Sequence, residues 1–185
     1  MTLGQSFESV LEAAKLGADW AWAVLYGEIA GPVMGYFRTR GMSDPEEAAG
    51  DVFFELARAV DQFEGTEEAF RTFVFQVAYE RLLVEKHNSR SRPRSVLADQ
   101  VLDHLQKDVA VMDRIATSGV PEELRRAFEV LSPAQRDVLS LRIVAGLSLE
   151  QTAQVIGSGI HAVKSLQRRG LAKVRGTVAA EAALV

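Results

Sequence analysis

Between Ile160 and Arg175 the cationic residues keep one register. At 100° per residue, His161, Lys164, Ser165, Arg168, Arg169, Ala172 and Lys173 fall on one side of a helix, and Val163, Leu166, Gly170 and Val174 on the other. Arginine and lysine on a free helix face donate to guanine edges and to phosphate oxygens, so the chemistry offered is recognition of duplex DNA in its major groove. Alone, such a face reads as merely solvated. Here it has a companion. The segment Ser148 to Ile156 has the spacing of a second short helix, burying Leu149, Ala153 and Ile156, and Gly157-Ser158-Gly159 permits a tight turn between the two. Together they form a helix-turn-helix pattern. Covalent chemistry has no comparable constellation. His87, His104 and His161 share no motif, and with no cysteine there is neither thiolate nor disulfide. No enzyme activity, metal, cofactor or small-molecule substrate is expected.

The elements that position this face are helical throughout. Apolar residues recur at three- and four-residue spacing, which predicts an all-α chain. Three helix starts are signalled by a capping residue followed by a side chain able to reach back: Asp44-Pro45-Glu46-Glu47, Ser132-Pro133-Ala134-Gln135 and Ser148-Leu149-Glu150-Gln151. Two breaks stand out, HNSRSRPRSV from His87 and ATSGVPEE from Ala116. They divide the 185 residues into a domain over 1–92, a flexible linker over 93–120 with one short amphipathic piece, a second domain over 121–179 and a tail over 180–185. Charge follows that division. Residues 1–86 hold 7 Lys/Arg against 15 Asp/Glu, residues 87–130 hold 7 of each, and residues 131–185 hold 7 against 3. An acidic front suits a protein partner, and a basic end suits phosphates. No run reaches the roughly 20 apolar residues of a membrane span, and MTLGQSFESV is not a secretory signal, so a cytoplasmic chain without membrane insertion is expected.

Leu131-Ser132-Pro133, Gln135-Arg136, Gly146-Leu147-Ser148 and Val163-Lys164-Ser165, in that order, resemble region 4 of bacterial sigma factors, which reads the -35 promoter element. LuxR-type regulators have a similar output domain, so this half alone leaves a stand-alone helix-turn-helix regulator open. The front half narrows the choice. Leu25-Tyr26, Arg38 to Arg40, Glu46 to Phe53 and Asp61-Gln62-Phe63 resemble region 2 of the extracytoplasmic-function (ECF) type, and the segment from Phe70 to Arg92 resembles the part that opens the -10 element. The chain departs from that pattern at Gly50, where the family usually has Gln, and along Phe73, Glu80, Val84 and His87-Asn88.

The resemblance implies an alternative sigma factor: a subunit that binds core RNA polymerase, directs it to promoters and helps melt the -10 region. It implies docking of region 2 on the β′ coiled coil through Glu47, Asp51, Glu55 and Arg58, which share one helix face, and of region 4 on the β flap. Melted strand needs stacking surfaces and a cationic track. Gln76, Tyr79, Lys86, His87, Asn88 and Arg90 are the strand-facing candidates, while Phe70, Phe73 and Phe75 are read as core. Promoter DNA and, when the factor is off, an anti-sigma factor complete the expected partners. Asp99, Asp103, Asp108 and Asp113 make the linker acidic, which suits either RNA mimicry or plain solvation.

Overall fold

The computed structural model describes residues 3–88 and 122–182. The linker, its four aspartates, His104 and Arg90 lie outside the described residues. A 3₁₀ turn, Gly4–Ser6, leads into α1 (Phe7–Lys15), followed by α2 (Asp19–Thr39), α3 (Pro45–Ala59), a second 3₁₀ turn (Val60–Gln62) and α4 (Glu67–Asn88). The basic half contains α5 (Glu122–Glu129), α6 (Pro133–Leu139), a π turn (Ser140–Val144), α7 (Leu149–Ile156) and α8 (Ile160–Ala182). Among the described residues no element is a strand.

Three helices start where their capping chemistry says they should. Asp44 accepts from the Glu47 N–H at 2.9 Å, with Pro45 supplying a first position that needs no donor. Ser132 with Gln135 and Ser148 with Gln151 each form a reciprocal capping box. α7 ends at Gly157, whose φ of 68° is the left-handed conformation that glycine adopts without strain. One boundary differs from the sequence reading: α8 continues to Ala182, past both Arg175 and the expected domain end at 179. Nothing in GTVAAEA breaks a helix, since alanine has the strongest helix propensity.

The front core is built on i, i+3, i+4 stripes: Phe7, Val10, Leu11 and Ala14 from α1; Leu25, Ile29, Val33, Tyr36 and Phe37 from α2; Val52, Phe53 and Leu56 from α3; Phe70, Val74, Phe75 and Leu82 from α4. Phe70 is the aromatic hub, with its ring 5.6 Å from Phe7 and 5.1 Å from Phe63. The N-terminal extension is tied down twice. α1 buries its apolar stripe, and the Glu67 carboxylate accepts the N–H groups of Leu3 and Gly4 at 3.0 and 2.8 Å. Trp22 is partly buried and donates its indole N–H to the Ala14 carbonyl, whereas Trp20 is exposed.

The basic half has two small cores of its own. Phe128, Leu131 and Leu139 pack with Leu171 and Val174, and Val138, Ala153 and Val163 pack with Leu149, Ile156 and Leu166. The halves are not separate in space. Leu141, Ala145, Leu147 and Val155 belong to the same buried cluster as the front domain. The π turn brings this about: the Ala145 N–H bonds to the Ser140 carbonyl and that of Leu147 to the Leu141 carbonyl, both at 3.0 Å, where an α-helix would bond four residues back.

Candidate nucleic-acid interface

α7 and α8 are held at a fixed angle by apolar contacts and by one cation. Val163 is fully buried against Val138 and Ala153, and Gly170 is buried against Leu139. The Arg142 guanidinium, from the π turn, donates to the Leu147 carbonyl just before α7 and to Oε1 of Gln167 on α8, the latter at 3.1 Å. Arg142 and Gln167 were not among the residues singled out from the sequence. A contact spanning 25 positions leaves no periodic trace.

With one side of α8 so occupied, the other side is free. His161, Lys164, Arg168, Arg169 and Lys173 are exposed, and Ser165 is half-buried, its carbonyl accepting from Arg169 Nε at 3.4 Å. Val163, Leu166, Gly170 and Val174 face the neighbouring helices, as the spacing predicts. Arg142 binds the Leu147 carbonyl and the half-buried Gln167 side chain, and from His161 to Lys173 the cationic residues of α8 have no acidic residue among them on that helix. In the first turn of α7, the Glu150 carboxyl has a pKa below its usual range, held there by its own backbone N–H and then by the Ser148 hydroxyl. Ser148→Ala removes the acceptor for the Gln151 N–H and is expected to cost about 1 kcal/mol of stability, read as a lower midpoint in urea unfolding of the full chain.

The strand-facing candidates divide. Gln76 and Tyr79 are half-buried on α4, while Lys86, His87 and Asn88 lie in its last turn with side chains outside the described residues. Burial, then the nearby Asp137 carboxylate, raises the Tyr79 hydroxyl above its usual pKa, with Arg40 acting the other way. Phe70 and Phe75 are fully buried and Phe73 stacks on Phe63, so the three phenylalanines are core. Of the four docking candidates on α3, Asp51 already has a partner, Arg81 of α4, at 2.6 Å. Glu55 and Arg58 are exposed and 3.6 Å apart, Arg58 lies over the Phe54 ring, and Glu47 is half-buried. Among the described residues no group of acidic side chains and histidines is arranged to hold a metal, and no helix is long and apolar enough to cross a membrane.

Residues 127–176, which include all six candidates on α8, match the family model for region 4 of sigma-70 factors. Over a longer span, the chain is 28% identical across 165 residues to the ECF RNA polymerase sigma factor BldN of Streptomyces coelicolor, covering 88% of this chain and 62% of that protein. It is 24% identical across 184 residues to the ECF RNA polymerase sigma factor SigD of Mycobacterium tuberculosis, covering 96% and 86%. Region 4 of the sigma-70 family is thus matched within the basic half, and the relatives that are similar to the chain over most of its length are ECF sigma factors. Among solved structures, that of CnrH in complex with the cytosolic domain of CnrY superposes with a TM-score of 0.65 at 19% identity, covering 95% of this chain and 99% of that one. The likeness places the described residues of the chain in the same fold. It therefore takes in the front half, which lies outside the residues matched to region 4.

Proposed function

We propose that the chain is an alternative sigma factor that binds core RNA polymerase, brings it to particular promoters and helps open them. The observation that carries the reading is the exposed cationic face of α8, mounted on a helix-turn-helix within the residues that match region 4. In this reading α8 enters the major groove of the -35 element, with Lys164 and Arg168 one turn apart and nearest the bases, and Lys173 on a phosphate. α4 receives the melted -10 strand through Gln76, Tyr79, Lys86, His87, Asn88 and Arg90. Glu47, Glu55 and Arg58 on α3 meet the β′ coiled coil, with Asp51 bracing that face through Arg81, and region 4 meets the β flap. The work is done by binding alone, with no covalent step, and takes place in the cytoplasm, where the polymerase is. An anti-sigma factor would hold the chain off the polymerase.

The test is run-off transcription with core polymerase on a promoter set, alongside duplex binding by the free chain. Free, the chain is expected to bind promoter DNA poorly, because a net charge of -4 repels phosphates around the basic end. With core polymerase it should select promoters. Tight, specific binding by the free chain, with no response to polymerase, would instead establish a stand-alone helix-turn-helix regulator.

A further inference from the structure

The outer face of α4 sets a carboxylate between two exposed apolar side chains. Val74, Ala78 and Leu82 are buried, and the side of the helix opposite them carries Gln76, Glu80, Leu83 and Val84, with His87 in the same register. Leu83 and Val84 are 47% and 43% exposed and belong to none of the buried clusters. One turn before them, and between the two in projection, the exposed Glu80 has no ion pair or hydrogen bond with any described residue. Its neighbour Arg81 is the only cation from Gln76 to Glu85, and it is engaged by Asp51 of α3 at 2.6 Å and Glu85 at 3.8 Å. A single exposed apolar residue is ordinary, but two in succession beside an unneutralised carboxylate form a surface of distinct chemistry, one that repels a phosphate. Glu80 and Val84 are also positions at which the sequence departs from the pattern of the ECF type.

We infer that Glu80, with Leu83 and Val84 on either side of it, selects a guanine in the melted -10 strand. The inference deepens the sigma-factor reading and rests on it. That reading sets the strand against Gln76 and Tyr79, both uncharged, and then against Lys86, His87 and Arg90. Free cations therefore begin only after Glu85. The phosphates find their partners at the end of the helix and beyond it, and the stretch from Gln76 to Val84 is left to the bases. A melted strand presents Watson–Crick edges that a duplex hides. Guanine alone puts two donors side by side on that edge, N1–H and the N2 amino group, and they match the two oxygens of one carboxylate. Cytosine and adenine each offer an amino group next to a ring-nitrogen acceptor, and thymine offers one N–H between two carbonyl oxygens. Each of these brings an acceptor against the carboxylate. Leu83 and Val84 give the flat face of the base an apolar seat and keep water from the contact, which strengthens it.

The test is a selection with the full chain and core polymerase. A promoter chosen by the run-off assay is randomised over its -10 element, the complexes that open are retained, and their strands are sequenced. One position is expected to favour guanine by about 5- to 150-fold, the worth of one bidentate pair. Glu80→Gln keeps the shape and removes the charge, and should abolish the preference at that position while the ranking of bases elsewhere stands. Hypoxanthine lacks the N2 amino group. In place of that guanine it should weaken complexes of the unaltered chain by about tenfold, one charge-assisted hydrogen bond, and leave those of Glu80→Gln unaffected. 7-Deazaguanine, whose Watson–Crick edge is intact, should behave as guanine does. Leu83→Ser/Val84→Ser should narrow guanine's lead, because water then reaches the contact. All three side chains are exposed, so the melting temperature should barely move in any of these variants. A flat profile, a preference for another base, a guanine preference that survives Glu80→Gln, or hypoxanthine retained as well as guanine would each overturn the inference. An equal change at every position in Glu80→Gln would also overturn it. If no promoter responds to the chain with core polymerase, the sigma-factor reading itself fails, and the base selection with it.

Discussion

Phe70→Ala is expected to lower the melting temperature of the full chain by about 6–20 °C, the largest effect of any single substitution considered. Phe70 is fully buried and its ring contacts come from three separate elements: Phe7 of α1, Phe63 after the second 3₁₀ turn, and Phe73 of α4 itself. Truncating such a ring costs about 3–5 kcal/mol, part transfer and part cavity, because neighbours on three elements cannot all move into the space. For a chain of 150–250 residues each kcal/mol is worth about 2–4 °C. The α1 stripe loses its main partner on α4, so α1 should fray first, seen as faster amide exchange over residues 7–15. Differential scanning calorimetry gives the total. A shift of less than a few degrees would show that the cluster relaxes around the cavity and that α1 is held chiefly by Glu67.

Arg168→Ala acts on function and leaves the fold alone. The side chain is exposed, one turn beyond Lys164 on the free face of α8, and none of the contacts that fix α8 to α6 and α7 involves it. An arginine that pairs with guanine is worth about 1–3 kcal/mol of discrimination, about 5- to 150-fold in selectivity. Transcription from a promoter with a -35 element should fall by a factor in that range. Transcription from one lacking the element, core-polymerase binding and melting temperature should barely move. Lys173→Ala should weaken all promoters mildly and alike, as a phosphate contact does. Equal losses in polymerase binding and transcription, or no loss in either, would remove α8 from the groove.

What was legible in the sequence is what is encoded over short distances. Asp44, Ser132 and Ser148 announce their helices because a cap and its partner are three residues apart. The two faces of α8 separate cleanly because one turn of helix fits inside the pattern, and the phenylalanines of α4 read as core for the same reason. Arg40–Asp137, Arg71–Ala145 and Gln151–Glu68 are different. Their partners lie on opposite sides of the linker, and no periodicity links them. Composition divides the chain into two helical halves joined by a linker, but it carries no information on whether two amphipathic units bury their remaining apolar surface against each other. Asp51 illustrates the same limit at a single residue: its position on the α3 face was readable, while its engagement with Arg81 required α4 to be in place.

The π turn at Ser140–Val144 sets a relation that substitutions leave untouched. A turn closing on the fifth residue back holds one more residue than an α-helical turn, so everything beyond Val144 sits about 100° out of step with an unbroken helix. Val138 and Leu139 belong to the small cores beneath α8, whereas Leu141, Ala145 and Leu147 belong to the front core. The surplus residue acts like the offset of a vernier, bringing two surfaces ruled at one pitch into coincidence at a single setting. Side chains along this stretch can vary within their polarity, but its length cannot: one residue added or removed would leave each half able to fold and the two halves out of phase.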